Sequence, residues 1–285
     1  MTVASDHDDY PAYGQSQHPE LGTSGTDSGM RVLFLLGQSR TLRGVPDYDR
    51  RLVDLYDGDN PDGPDHDYYR ALADRVGASS LLDLGCGTGI LTVTFSRPGR
   101  SVVGVDPSAA MLDFARTRPT GSGVTWVQGD SRAIPNSGFD YAVMTGNVAQ
   151  HIAAPDWLRT LRDLHAAMAP GALLAFDSRN PAARAWERWG QEDASLRHTD
   201  HGPLREWAHV KTLSGGRVVL TAHNVFESTG EHVIEEQTLT FRSEEQIRAA
   251  LNDAHFVVTR VSGDWNGSPF DGPQPVMVFE AIVSD

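Results

Sequence analysis

Residues Leu81–Ile90 read LLDLGCGTGI, and this stretch decides which fold the sequence predicts. The apolar run Ser80–Leu84 predicts a strand, the glycines after it predict a tight loop, and Gly89–Ser96 predicts a helix. Glycine lets the backbone come close to a ligand, and a helix N-terminus favours anionic groups. The stretch therefore predicts an α/β fold that binds a nucleotide-like ligand at a strand-to-helix turn.

A carboxylate follows the next predicted strand, because Ser101–Val105 ends in Asp106. A side chain in that position can accept hydrogen bonds from both hydroxyls of a ribose, in a nicotinamide dinucleotide or in S-adenosylmethionine. The dinucleotide pattern needs a glycine where this sequence has Ile90. Asp83 would repel a pyrophosphate but suits the ammonium of a methionine tail. The sequence thus favours S-adenosylmethionine, and a glycine-rich turn without a ligand is the alternative.

Strand-like and helical runs alternate around this stretch. The predicted strands are 80–84, 101–105, 124–128, 141–145, 172–177, 257–263 and 276–283, and the predicted helices include 48–56, 66–76, 109–116, 157–168 and 244–253. Apolar strands separated by helices are typical of a parallel sheet covered on both faces. We expect a doubly wound α/β fold with a mostly parallel, seven-stranded Rossmann-like sheet, in which the sixth strand runs parallel to the others.

Between residues 183 and 243 the pattern changes. Leu204–Leu213, Arg217–Phe226 and His232–Phe241 alternate apolar with polar residues and are separated by glycine-containing turns. This pattern predicts an antiparallel meander with one solvated face. We expect a core of residues 46–183 and 243–285 with an inserted antiparallel β lobe at 184–242. The segment 1–45 predicts a disordered tail, and Met30 is an alternative start.

Composition limits the possible partners. The 24 Lys and Arg residues stand against 38 Asp and Glu residues, which gives a net charge of −14 and argues against nucleic acid. No apolar run approaches the ~20 residues of a membrane span, and no export signal is recognisable, so we expect a cytoplasmic protein that does not contact a membrane. Cys86 is the single cysteine and the histidines are scattered, so no metal site is expected.

Several segments resemble the class I S-adenosylmethionine-dependent methyltransferases. These segments are DLGCGTG at 83–89, VVGVDPS at 102–108 with Met111 and Leu112 after it, WVQGDS at 126–131, FDYAVM at 139–144 and LLAFD at 173–177. The resemblance implies that the cofactor's methionine moiety lies along the backbone of Gly85, Cys86, Gly87 and Gly89. It also implies that Asp106 binds the ribose.

The adenine would be held by residues further along the chain. By the same resemblance Met111 would pack on the adenine, and Asp130 would accept a hydrogen bond from its amino group near the Ser131 amide. Met111 could instead be an ordinary core residue, and Asp130 could simply initiate the following loop.

The methyl acceptor is expected at the carboxyl ends of the strands, where open α/β sheets bind ligands. The segment Thr145–Ile152 resembles the family's fourth motif, in which His151 could accept a proton or merely order the loop. Asn147 and Gln150 could orient the acceptor or bind the methionine carboxylate. Arg179 could bind an anion or lie on the surface.

Four aromatic residues are candidates for the rim of the pocket. Trp265 and Phe270 lie in the loop after the sixth strand and could wall the pocket or pack on their own hairpin. Tyr48 and Tyr56 are candidate lid residues. The sequence lacks the N/D-P-P-Y/F motif of amino-methylating nucleic-acid enzymes, and Cys86 is not in a Pro-Cys pair.

The sequence therefore predicts an S-adenosylmethionine-dependent O- or N-methyltransferase of a small molecule, acting as a monomer or homodimer. The reaction is an in-line displacement at the sulfonium methyl, in which the protein mainly aligns the nucleophile. A non-catalytic cofactor-binding regulator, with the β lobe as its interaction surface, is one alternative. A nicotinamide-dependent oxidoreductase is another, and Ile90 argues against it.

Overall fold

The computed structural model of the chain describes residues 47–136 and 138–284, without the side chains of Gln191 and Glu192. The tail predicted at 1–45 lies outside the described residues. The strands are β1 Ser80–Leu84, β2 Ser101–Asp106, β3 Thr125–Gln128, β4 Phe139–Met144, β5 Met168–Arg179, β6 Gln191–Thr199, β7 Gly202–Thr212, β8 Arg217–Phe226, β9 Glu231–Thr240, β10 Phe256–Ser262 and β11 Val276–Val283. The α-helices are α1 Arg50–Asp59, α2 Pro64–Arg75, α3 Ala109–Thr117, α4 Val148–His151, α5 Ala154–Ala167 and α6 Glu244–Asp253.

Seven strands form one sheet in the order β10-β11-β5-β4-β1-β2-β3. Strands β1 to β5 pair in parallel, with Leu82 of β1 opposite Val103 of β2 and Ala142 of β4. Strand β11 is antiparallel to both β5 and β10, so β10 runs in the same direction as β5. The predicted doubly wound, mostly parallel seven-stranded sheet is therefore confirmed, including its parallel sixth strand.

The sheet is buried on both faces because successive side chains of a strand point to opposite sides. Leu82 and Leu84 pack on one face in a cluster with Leu161 of α5 and Ile247 of α6. Leu81 packs on the other face, with residues of α2 and of the segment after β1. Each fully buried aliphatic side chain contributes about 1.5–3 kcal/mol to the stability of this arrangement.

A second sheet follows in the order β6-β7-β8-β9, antiparallel throughout. The sequence predicted the last three of these strands and missed β6. The segment Gln191–Thr199 has few apolar residues and pairs along one edge only, so no alternation marks it as a strand. The boundaries predicted for the lobe, 184 and 242, stay a prediction.

The prediction of an α-helix at Gly89–Ser96 is wrong. This segment holds a short 3-10 helix, Thr92–Phe95, and no α-helix. Two of its four residues are threonines and a third is a valine, and such β-branched side chains lose rotamer freedom in an α-helix. The glycine loop after β1 therefore leads into a single tight turn.

A capping box opens α6. The side chain of Ser243 accepts from the backbone of Gln246, whose own side chain accepts from the backbone of Ser243.

Among the helices of the described ranges, none combines the length and the apolar character that crossing a bilayer requires.

Candidate active site

The glycine loop after β1 has a left-handed backbone at three positions. Gly85, Gly87 and Gly89 have φ values of 82°, 53° and 72°. A Cβ on Gly85 would lie 2.5 Å from the side chain of Val148 at the start of α4. A Cβ on Gly87 would meet no atom within 4 Å. The loop is thus closed toward α4 and open at Gly87, where a ligand can approach the backbone.

Asp106, the last residue of β2, holds this loop in place. Its carboxylate accepts one hydrogen bond from the backbone of Gly87 (2.9 Å) and another from the backbone of Ser108 (2.9 Å). Burial raises the pKa of Asp106 to about 6, against the effect of the two backbone bonds. Each oxygen has lone-pair capacity for a second donor, so the geometry is compatible with ribose hydroxyls.

Asp83 lies buried beneath the loop. One carboxylate oxygen accepts from the Thr92 hydroxyl at 2.6 Å, and the other has no hydrogen-bond partner among the described residues. Burial raises the pKa of Asp83 to about 6. A buried carboxylate oxygen without a partner is costly unless a donor binds to it. Asp83 therefore fits the ammonium group predicted for this position.

Cys86 lies between these acids and does not supply a reactive thiolate. Burial first, then the charges of Asp106 and Asp83, raises the pKa of its thiol well above the usual value. Its backbone amide donates to the carbonyl of Val105. Cys86 can therefore contribute backbone and volume to a cofactor site, and its sulfur stays protonated.

The residues predicted to contact the adenine already have contacts within the protein. Met111 is fully buried in α3, in a cluster with Val53 of α1 and Ala110. Asp130 accepts from the backbone and side chain of Arg132 and caps a 3-10 turn. Burial opposes ionisation of Asp130, but the bonds from Arg132 outweigh it and lower the pKa. The adjacent Ser131 hydroxyl donates to Asp163 at 2.6 Å.

The α4 segment carries several buried polar atoms. Asn147 has a left-handed backbone with φ 64°, and its backbone N–H donates to the carboxylate of Asp177 at 2.7 Å. The Oδ1 of Asn147, the Nε2 of Gln150 and both ring nitrogens of His151 are buried without partners in the part of the chain that the structure describes. Polar atoms buried in this way indicate a site that a ligand completes.

His151 is a neutral imidazole at physiological pH. Burial, and then the charge of Arg179, lowers its pKa to about 3. Since a base of such low pKa holds a proton weakly, His151 is better suited to hydrogen bonding than to taking a proton from an acceptor at pH 7.

Arg179, the last residue of β5, is buried, so its interpretation as a surface arginine is wrong. It donates to Gln150 at 3.1 Å, and its guanidinium lies over the Trp189 ring. Burial lowers its pKa to about 10, and it remains a cation at neutral pH. It is a buried positive charge beside α4.

The four predicted rim aromatics fall in three places. Trp265 lies against Tyr69, with ring centroids 5.9 Å apart, and Phe270 packs on the core under α5 and α6. Tyr48 and Tyr56 lie around α1. Burial raises the pKa of both, and the charge of Asp106 raises it further, so their hydroxyls are neutral donors close to Asp106.

Sequence reasoning missed two acids, the buried Asp177 and the half-buried Glu235. Asp177 accepts from the Tyr69 hydroxyl at 2.9 Å, and burial raises its pKa to about 6. Glu235 lies on the inner face of the second sheet, where burial and the charge of Asp49 raise its pKa to about 7. The available signal was polarity at inward positions, because Glu235 and Gln237 alternate with exposed residues along β9.

Comparisons with known proteins agree with this geometry. Residues 81–171 match a methyltransferase-domain family. The cypemycin N-terminal methyltransferase of Streptomyces sp is 29% identical over 196 residues, 67% of this chain and 78% of that protein. An uncharacterised methyltransferase of Mycobacterium tuberculosis strain H37Rv is 34% identical over 159 residues, 51% of this chain and 79% of that protein.

Solved structures share the fold. The sugar N-methyltransferase KedS8 from Streptoalloteichus sp superposes with a TM-score of 0.67 at 20% identity, covering 88% of this chain and 98% of that one. The S-adenosylmethionine-bound amino pentose methyltransferase CalS10 from Micromonospora echinaspora gives 0.61 at 23% identity, covering 85% and 100%. Together with the 34% identity to a methyltransferase over 79% of its length, the glycine loop and strand order place this chain in the class I S-adenosylmethionine-dependent methyltransferases.

Proposed function

We propose that this enzyme transfers the methyl group of S-adenosylmethionine to a nitrogen or oxygen of a small molecule at the carboxyl edge of the seven-stranded sheet. The observation that carries the proposal is the group of buried, unpartnered polar atoms at that edge, among the described residues. These atoms belong to Asp83, Asn147, Gln150 and His151. Each can be satisfied by a polar ligand bound between the strand ends and α4.

The cofactor contacts follow from what each group offers. Asp83 binds the ammonium with its unpartnered oxygen, and Asp106 accepts from the ribose hydroxyls. The loop backbone at Gly85, Cys86, Gly87 and Gly89 passes along the methionine moiety on its open side. Asn147 adds an amide oxygen next to the loop.

The adenine contacts are the second half of the cofactor site. Met111 packs against the adenine from α3, and Asp130 accepts from its amino group next to the Ser131 amide. Asp130 already caps its own turn, so its contact with adenine uses the remaining lone pairs of the carboxylate.

The acceptor lies beside the methionine end. The bound cofactor supplies a methyl group that is already activated on a sulfonium. Gln150 and the neutral His151 orient the nucleophile by hydrogen bonds, while Arg179 fixes Gln150 and supplies positive charge. Tyr48 and Tyr56 beside α1, and Trp265 and Phe270 from the loop after β10, exclude water from the reacting atoms.

Relatives and charge support a small acceptor. KedS8, whose fold this chain shares, is named as a sugar N-methyltransferase. A ubiquinone biosynthesis O-methyltransferase from Vibrio parahaemolyticus is 31% identical over 40% of this chain. The net charge of −14 disfavours a nucleic-acid substrate.

Deuterated-methyl transfer tests this function. The enzyme is incubated with S-adenosylmethionine labelled in the methyl group and an extract of the organism that encodes it, and the products are separated by size. We expect the label in compounds below about 1 kDa, the size range of small-molecule acceptors. Label confined to protein or nucleic acid would overturn the small-molecule assignment. A reaction without enzyme is the control.

A further inference from the structure

A cavity lies between α1 and the inner face of the second sheet, apart from the glycine loop. Tyr48 and Tyr56 line it from the α1 side, and Asn224 and Glu235 line it from β8 and β9. The inner face is set by register, because Glu206, Asn224 and Val233 are directly opposite one another across β7, β8 and β9. Glu235 and Ala222 form the next row of the same face.

Three polar side chains of this face have atoms without hydrogen-bond partners among the described residues. Asn224 is completely buried, and neither its Oδ1 nor its Nδ2 has a hydrogen-bond partner there. The Oε1 of Glu235 and both side-chain polar atoms of Gln237 are likewise buried without a hydrogen-bond partner in the described part of the chain. Buried polar atoms in native proteins are normally satisfied, so the unpartnered atoms of Asn224 and Glu235, which line the cavity, point to a ligand that supplies donors and acceptors.

Among residues 47–136 and 138–284, no cation is paired with Glu235. Arg197 is already paired with Asp59 (2.7 Å) and Glu206 (2.7 Å). The charge of Asp49 raises the pKa of Glu235, and Asp49 itself forms an ion pair with Arg51 at 2.6 Å.

Two further titratable groups of the elements next to β9 carry no charge at neutral pH. Tyr48 is a phenol with a raised pKa, and His151 on α4 is neutral. A half-buried carboxyl with these neighbours is either protonated or matched by a cation from outside the described residues.

The cavity adjoins the cofactor residues. The carboxylates of Glu235 and Asp106 both raise the pKa of Tyr48, and Asp106 also acts on Tyr56, so the two tyrosines lie between the cavity and the end of β2. Arg242, two residues after β9, donates to the carbonyls of Ala149 and Ile152 and fixes α4 against this sheet. The α4 segment that carries Gln150 and His151 thus packs against β9, the strand that carries Glu235.

We propose that the acceptor of this enzyme carries an amine, and that the cavity binds its ammonium group with Glu235 as the counter-charge and Asn224 as a hydrogen-bonding partner. This inference rests on the proposed function and narrows its substrate class. The aromatic rings of Tyr48 and Tyr56 provide the apolar walls.

Paired probes test the inference. Protein saturated with S-adenosylhomocysteine is titrated calorimetrically with D-glucosamine against D-glucose, and with cyclohexylamine against cyclohexanol. We expect at least one amine to bind about tenfold or more tightly than its hydroxyl twin, which is the scale of a hydrogen-bonded charge pair. Glu235→Gln is expected to abolish that preference. Glu236→Gln, its exposed neighbour on the opposite face of β9, is the matched control and should retain it.

A pH series on the wild type covers the case in which Glu235→Gln does not fold. The pKa of Glu235 is raised to about 7, so its carboxyl is protonated below that pH and cannot neutralise an ammonium. Amine affinity should fall by about tenfold per pH unit below 7, while the affinity of the hydroxyl twins stays level.

The outcomes separate the two proposals. Equal binding of the twins, no binding of any probe, or an amine preference that survives in Glu235→Gln would each overturn the ammonium site. Failure of the protein to bind S-adenosylhomocysteine would instead count against the cofactor site, and hence against the proposed function itself.

Discussion

Replacement of Asp106 by alanine is expected to weaken S-adenosylmethionine binding by about 100-fold or more. Two hydrogen bonds from ribose hydroxyls to a carboxylate are lost, each contributing about 1.5–3 kcal/mol. The variant also removes the acceptor of the Gly87 and Ser108 amides, so the loop loses its anchor at the end of β2. Isothermal titration of both proteins with S-adenosylmethionine measures the change.

The matched control is Asp113→Ala. Asp113 lies on α3 in half-exposed ion pairs with Arg50 and Arg116, so its loss should leave cofactor affinity unchanged. Asp106→Asn separates the two effects of the first variant, because an amide keeps one acceptor oxygen for the loop. Undiminished affinity in Asp106→Ala would show that the ribose is bound elsewhere.

Gly87→Ala is expected to block the cofactor at a small cost in stability. The added methyl meets no protein atom within 4 Å, so the cost of folding is that of a left-handed alanine, about 1–2 kcal/mol. The same methyl projects into the open side of the loop, where we expect the methionine moiety. Cofactor affinity should therefore fall by about 100-fold, a loss of about 2.7 kcal/mol.

Gly77→Ala provides the comparison. Gly77 follows α2, also has a left-handed backbone (φ 66°), and also has open space around its Cβ position, at the opposite end of β1. Urea unfolding should give similar losses of stability for the two variants, while titration should show weakened cofactor binding only for Gly87→Ala. Equal cofactor affinity in both would place the cofactor away from the glycine loop.

The glycine loop could be located from sequence because its signals are local. Asp83, the glycines and Asp106 fall at strand ends, and the carboxyl ends of parallel strands meet at one edge. Their hydrogen bonds could not be foreseen in detail. The bonding of Asp106 to Gly87 depends on the left-handed turn, which one-dimensional spacing does not specify.

The environment of the acceptor site depended on contacts distant in sequence. The pKa of His151 is lowered by its burial in α4 and by the charge of Arg179 at the end of β5. A candidate base by sequence is therefore a weak base in the structure. Strand β6 was missed because its residues lack apolar alternation. The cavity at Glu235 forms between α1 and a sheet more than a hundred residues away, and no local pattern joins Tyr48 to Asn224.

A crystal structure of the enzyme with S-adenosylhomocysteine bound tests the central claim most directly, which is that the cofactor lies across the glycine loop between Asp83 and Asp106. The account predicts the ammonium within hydrogen-bond distance of the free oxygen of Asp83, and both ribose hydroxyls on the carboxylate of Asp106. A ligand bound away from the loop, or a ribose that does not contact Asp106, would contradict it.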